Sequence, residues 1–308
     1  MRVQDSIARA VREGAPVVAL ETAVLTHGFS RPTALVVYAS MREAVIGEGA
    51  LPAPVGVVGG ELVVGLGESE LKRLDRGYGV EKAGLADLAP LAAKGCDAGT
   101  TVAATLWASG RAGIRVFATG GIGGVHRGAE ATFDVSGDLT ALGRFGGVTV
   151  CSGAKAICDL PKTMELLETM GVAVVGFRTD EMPAFICNTS GLKLRHRADT
   201  PEEVARIAVA RDRLGLSASI LVVQPCPEDA ALGRSPLEGA LHRALAEAHG
   251  EGISGAALTP ALLSRLETLT EGSSAAANRA LLLENARLAA RISFALSEIG
   301  RSGPNRPA

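Results

Sequence analysis

Short apolar runs rich in Val, Leu and Ile recur along the chain, each followed by a stretch with helical spacing. Runs at 17–20, 115–118, 148–151, 172–175 and 220–223 are too short for helices and predict strands. Two more runs, 55–58 and 62–64, flank Gly59-Gly60 and predict a hairpin. Helices are expected over 33–48, 69–76, 101–112, 161–170, 201–214, 236–249 and 276–296. Pro161 stands at a first helical position, where its missing N–H is not needed. The alternation constrains the chain to an α/β fold, a single three-layer α/β/α domain whose helices cover a largely buried sheet. No repeat or long linker interrupts it; the domain is expected over 1–299, with 300–308 as a disordered tail.

Composition narrows the function classes. The 308 residues carry 31 Lys+Arg against 33 Asp+Glu, a net charge of −2 that offers no footprint for nucleic acid or an anionic membrane. With 47% apolar residues the chain lacks the signature of disorder, and with 3% aromatics and 38 glycines its core must be aliphatic and tightly packed. No uncharged apolar run approaches the roughly 20 residues of a membrane span. The amphipathic N-terminus, MRVQDSIARAVREGAP, lacks the marks of a signal peptide. Cys96, Cys151, Cys158, Cys187 and Cys226 are odd in number, scattered and free of C-x-x-C, as expected of buried thiols in a reducing cytoplasm. A soluble cytoplasmic protein is expected.

Ligands of open α/β sheets gather at the carboxyl ends of strands. Three such ends carry polar punctuation here: Glu21, the loop from Thr119 to His126, and Lys155. Each also has a plain structural explanation, as a turn carboxylate, a tight glycine turn or an exposed helix-start lysine. Gly121-Ile122-Gly123-Gly124-Val125-His126 puts His where a dinucleotide fingerprint needs its third Gly, and Gly153-Ala154-Lys155 lacks the frame of a Walker A loop. What remains is an anion cradle for a monophosphate, formed by Thr119, the amides of 120–124, His126 and Arg127. Asp134-Val135-Ser136-Gly137-Asp138 fails as a calcium loop, because Leu139 and Phe145 replace the required Gly and Glu. One or two of its oxygens can still hold a magnesium or manganese ion, or Asp138 can simply cap a helix over 139–144.

The strings ALETAVLTHG (19–28), GTTVAATLWAS (99–109), VFATGGIGGVHRGAEATFDVSGDL (116–139), CSGAKAICDLPKTMELLETMGVAVVGFRTDEMPAF (151–185) and GISGAALTP (252–260) closely resemble the pseudouridine-5′-phosphate glycosidases, also called the indigoidine synthase A-like family. The resemblance runs in order from about 17 to about 290. It implies an α/β/α fold, a homotrimer, one Mn2+ per subunit, and reversible cleavage of pseudouridine 5′-phosphate to uracil and ribose 5-phosphate. It also implies that Lys155 is the nucleophile, Glu21 the proton donor and Asp134 the metal ligand. Sugar-phosphate contacts fall on Lys82, Val102, Ser136, Gly137 and Asp138, phosphate contacts on Thr119 and His126, and a uracil contact on Asn278.

The chemistry is consistent with those roles. A C-glycoside has no leaving oxygen to protonate, so the usual pair of carboxylates cannot cleave it. A lysine amine can attack the anomeric carbon and open the ring to an imine, which serves as the electron sink while the base leaves as an enol-like carbanion. That route needs a nearby cation, for which Lys162 or the metal is a candidate, and a general acid, Glu21. The chain also departs from the family at Thr22-Ala23, at the Ala83-Gly84-Leu85-Ala86-Asp87 segment after Lys82, at Gln224-Pro225-Cys226-Pro227, at Glu271-Gly272 and at Glu284-Asn285. These departures leave room for a related activity, a C-ribosyl synthase joining ribose 5-phosphate to a non-uracil carbon acid, and for a non-catalytic sugar-phosphate binder.

Overall fold

All five residues of Val17–Glu21 are buried, which requires a strand paired on both edges and covered on both faces. A computed structural model describes residues 1–253 and 258–302. Its eleven strands are β1 (Arg2–Val3), β2 (Val17–Glu21), β3 (Leu51–Val58), β4 (Glu61–Val64), β5 (Val80–Ala83), β6 (Asp97–Thr100), β7 (Val116–Ala118), β8 (Val148–Cys151), β9 (Ala173–Phe177), β10 (His196–Ala198) and β11 (Ile220–Val223). They form one sheet in the order β1-β4-β3-β2-β7-β8-β11-β9-β10. From β3 to β10 every pairing along that path is parallel. The hairpin between β3 and β4 is antiparallel, and Gly59 and Gly60, at φ +57° and +81°, supply the left-handed pair that a two-residue loop demands.

Beyond Val55 the long strand β3 parts from β2 and pairs with β6, which carries β5 as a branch of the sheet. The sequence VEKA of β5 and DAGT of β6 shows no apolar run, so neither strand was expected; pairing on the branch, not composition, makes them strands. One helical layer holds Thr33–Gly47, Pro201–Arg213 and Ser273–Ser302 packed together, and the other holds Val102–Arg111, Gly137–Arg144 and Leu160–Thr169. Helix Ser273–Ser302 runs three residues into the segment expected as tail, while 303–308 and, in GISGAALTP, 254–257 lie outside the described residues. Among the described residues all five cysteines are free, four of them buried, and no helix is long and apolar enough to cross a membrane.

The chain leaves β2 to build β3 on one side and returns to build β7 on the other. The sheet therefore has a topological switch point between β2 and β7, where the crossovers part and a crevice opens at the strand ends.

Candidate active site

Glu21 is the last residue of β2 and Thr119 the first after β7, so the two flank the switch point. The Thr119 hydroxyl donates to Glu21 Oε1. A cavity of about 640 Å³ opens above them. Glu21, Lys82, Thr119, His126, Ser136, Gly137, Asp138, Lys155 and Asn278 line it, so nine of the eleven residues singled out from sequence meet in one place. Val102 and Asp134 do not line it. Val102 is buried in the core, and only its neighbours Thr101 and Ala103 reach the cavity.

Backbone pairing beyond the strands places Lys155. Ser152 N donates to Gly120 O at 2.9 Å, Ile122 N to Gly153 O at 3.0 Å, and Lys155 N to Ile122 O at 2.9 Å, which zips the glycine loop to the loop after β8. Gly153 permits this because its φ is +86° and a Cβ there would lie 2.1 Å from Pro183 O. Part of the anion cradle expected in the glycine loop is already engaged. Its Ile122 amide is engaged by Gly153, the Gly123 amide donates to Asp138 Oδ2 at 2.8 Å, and the Val125 amide donates to Thr163 Oγ1 at 3.0 Å.

Asp138 is likewise not a helix cap. Ser136 caps helix Gly137–Arg144, accepting from Asp138 N. The Asp138 carboxylate is buried, and its other oxygen accepts from Ala103 N at 3.0 Å, tying the start of helix Val102–Arg111 to the glycine loop. Arg127 points away from the cavity and pairs with Glu238. A different arginine, Arg144, lines the cavity. Gly137, Thr140, Ala141 and Arg144 all line the cavity, an i, i+3, i+4, i+7 stripe on one face of helix Gly137–Arg144.

Glu21 is 3% exposed, and burial holds its carboxyl above the usual range although Lys155 and Thr119 pull the other way. Lys82 is pushed down, first by burial and then by the Lys155 charge. Lys82 is therefore the cation beside Lys155. Lys162 is not, since it is half exposed and paired with Glu130 at 2.7 Å and Asp159 at 3.1 Å. Burial also lowers His126, with Asp134 opposing and the two lysines assisting.

Among the described residues no three His, Cys, Asp or Glu side chains are grouped as a metal cage. Asp134 Oδ2 stands 3.5 Å from His126 Nδ1, a buried atom with no hydrogen-bond partner. One carboxylate beside His126 fits a hard divalent ion only if that ion keeps most of its waters and takes a ligand phosphate.

Asn285 keeps the second Asn of the family's usual Asn-Asn, beside the departure at Glu284, and its amide joins three strand ends. Fully buried, it donates to Thr119 O at 2.9 Å and Ser152 Oγ at 3.2 Å, and accepts from Gln224 Nε2 at 2.9 Å. It thereby links the ends of β7, β8 and β11. Asn285→Leu keeps the volume but strands these groups at about 1–3 kcal/mol each, so a loss of at least about 2 kcal/mol in urea unfolding is expected. An unchanged midpoint would show the link to be dispensable.

Comparison with known proteins shows the family. Residues 6–295 match the family model described as indigoidine synthase A like protein. The chain is 45% identical over 297 residues to the pseudouridine-5′-phosphate glycosidase of Caldanaerobacter subterraneus subsp. tengcongensis, covering 96% of this chain and 97% of that one. It is 48% identical over 295 residues to the enzyme of the same name from Methylobacterium nodulans, covering 96% and 88%. Among solved structures it resembles the prealnumycin C-glycosynthase AlnA in complex with ribulose 5-phosphate, with a TM-score of 0.90 at 38% identity over 98% of both chains. With the fold and nearly the whole length in agreement, the chain belongs to the indigoidine synthase A-like family.

Proposed function

We propose that this protein is a pseudouridine-5′-phosphate glycosidase, which cleaves the carbon–carbon bond between uracil and ribose 5-phosphate through an imine on Lys155. The convergence of a buried carboxyl, Glu21, with two amines, Lys155 and Lys82, in one cavity carries the reading. Relatives of that name, nearly half identical over almost the full chain, support it.

In this reading His126, Ser136 and Arg144 hold the phosphate, whose remote binding energy sets the anomeric carbon against Lys155. That carbon, C1′, bears hydrogen, C2′, the ring oxygen O4′ and C5 of the base. Glu21, whose hold on its proton burial strengthens, gives that proton to O4′ as the ring opens. The Lys155 amine bonds to C1′ and its surplus proton returns to the carboxylate. At that stage C1′ still has four substituents, so the product is an amine and not yet the imine expected from sequence. The nitrogen lone pair forms the C1′=N bond as C1′–C5 breaks, C5 takes a proton and uracil leaves. Water then releases Lys155, and the freed aldehyde closes to ribose 5-phosphate.

Asp134 would hold a manganese ion, which when bound supplies charge that neutralises the phosphate. Chelation is expected to lower activity and manganese to restore it, with Asp134→Ala protein refusing rescue. Full activity in both chelated and Asp134→Ala protein would overturn the metal assignment.

We read the described chain as one catalytic domain, its last helix running past the boundary expected at 299, and the assembly as a homotrimer, testable by light scattering. We place the protein in a reducing cytoplasm, which the free thiols suit. The likeness to a C-glycosynthase favours a second reading, synthesis with another acceptor. Incubation of ribose 5-phosphate with uracil or with aromatic carbon acids separates the two: coupling to uracil supports the glycosidase, and coupling only to the others supports the synthase.

A further inference from the structure

Beside the main cavity lies a smaller one of about 200 Å³. The two share His27, Gly28, Phe29, Phe185 and Asn278, and none of Glu21, Lys82, Lys155 or the phosphate-end residues. The shared wall carries two aromatic rings, an imidazole and an amide, suited to a planar polar ring.

His27 closes helix Ala23–His27. Its Nδ1 lies 2.7 Å from Thr26 Oγ1, and that hydroxyl also reaches Thr22 O one helical turn back, at 3.1 Å. A hydroxyl has one proton. The tautomer with the ring's proton on Nδ1 satisfies both contacts at once, the Thr26 hydroxyl donating to Thr22 O and accepting from His27. Among the described residues nothing hydrogen-bonds Nε2, which is left as an acceptor. Burial, aided by Lys82, holds the imidazole below its usual range and so keeps it neutral.

We infer that His27 and Asn278 read the base as a pair, His27 Nε2 accepting a ring N–H while the Asn278 amide meets the neighbouring carbonyl. The substrate class is a planar heterocycle with an N–H beside a C=O. This rests on the proposed glycosidase reading, and it makes His27 a specificity residue rather than a catalytic one.

The test compares cleavage of pseudouridine 5′-phosphate with that of its N1-methyl and N3-methyl forms. A site built around an N–H rejects the analogue that lacks it, so wild-type kcat/KM should fall at least about 100-fold on methylation of one of the two nitrogens. In His27→Leu that ratio should shrink to within about threefold, because the acceptor being denied is gone. His27→Gln, with an amide oxygen near the former Nε2, should restore discrimination. Borohydride trapping of ribose 5-phosphate, which needs no base, should persist in both variants and reports an intact fold. An unchanged methylation ratio in His27→Leu, or trapping lost in step with cleavage, would overturn the inference. A wild-type protein that traps ribose 5-phosphate but cleaves none of the three nucleotides would instead overturn the glycosidase reading.

Discussion

Lys155→Arg is expected to lower kcat/KM by at least about four orders of magnitude, since guanidinium stays protonated and cannot serve as the nucleophile. Borohydride with ribose 5-phosphate should label the wild type with one reduced sugar-phosphate, mapped to the peptide holding Lys155, and should leave the variant unlabelled. The site makes this a sharp comparison because it contains a second amine. Lys82 lines the same cavity, and burial with the Lys155 charge lowers its affinity for protons. A label on Lys82, or full activity in Lys155→Arg, would exchange the two lysines' roles.

Glu21→Gln should remove about two to four orders of magnitude from kcat, the range of a lost general acid. The same substitution should stabilise the fold. Burial raises the Glu21 carboxyl above its unfolded value, so the native state favours the protonated form. The stability that this contributes is complete at low pH and is lost as pH rises through the folded value. Glutamine cannot ionise and escapes that loss. Thermal melts should therefore nearly coincide near pH 4 and diverge toward pH 8, with the variant higher. A variant melting lower than wild type at pH 8 would mean that Glu21 is held as a satisfied anion and is not the acid.

The strands that position Glu21, Thr119 and Lys155 were legible because each is an apolar run ending in a polar residue, and burial on both faces selects such runs. Strands β5 and β6 were not, since their residues carry no pattern and only the bend of β3 supplies their pairing. Lys82 was found by resemblance for the same reason: nothing around VEKA marks a strand. Asp138 was visible as a polar residue near a helix start, but its two amide donors come from 35 and 15 residues away. Local capping rules cannot see such partners. Asn285 looks in sequence like one polar position of a long helix, and its role exists only where three strand ends meet.

The most direct test gives purified, manganese-supplemented protein pseudouridine 5′-phosphate and follows the products by liquid chromatography and mass spectrometry. The account predicts uracil and ribose 5-phosphate in equal amounts, with resynthesis of the nucleotide when both are supplied in excess. An intact substrate after prolonged incubation, in a preparation whose Lys155 still forms a reducible adduct with ribose 5-phosphate, would contradict it.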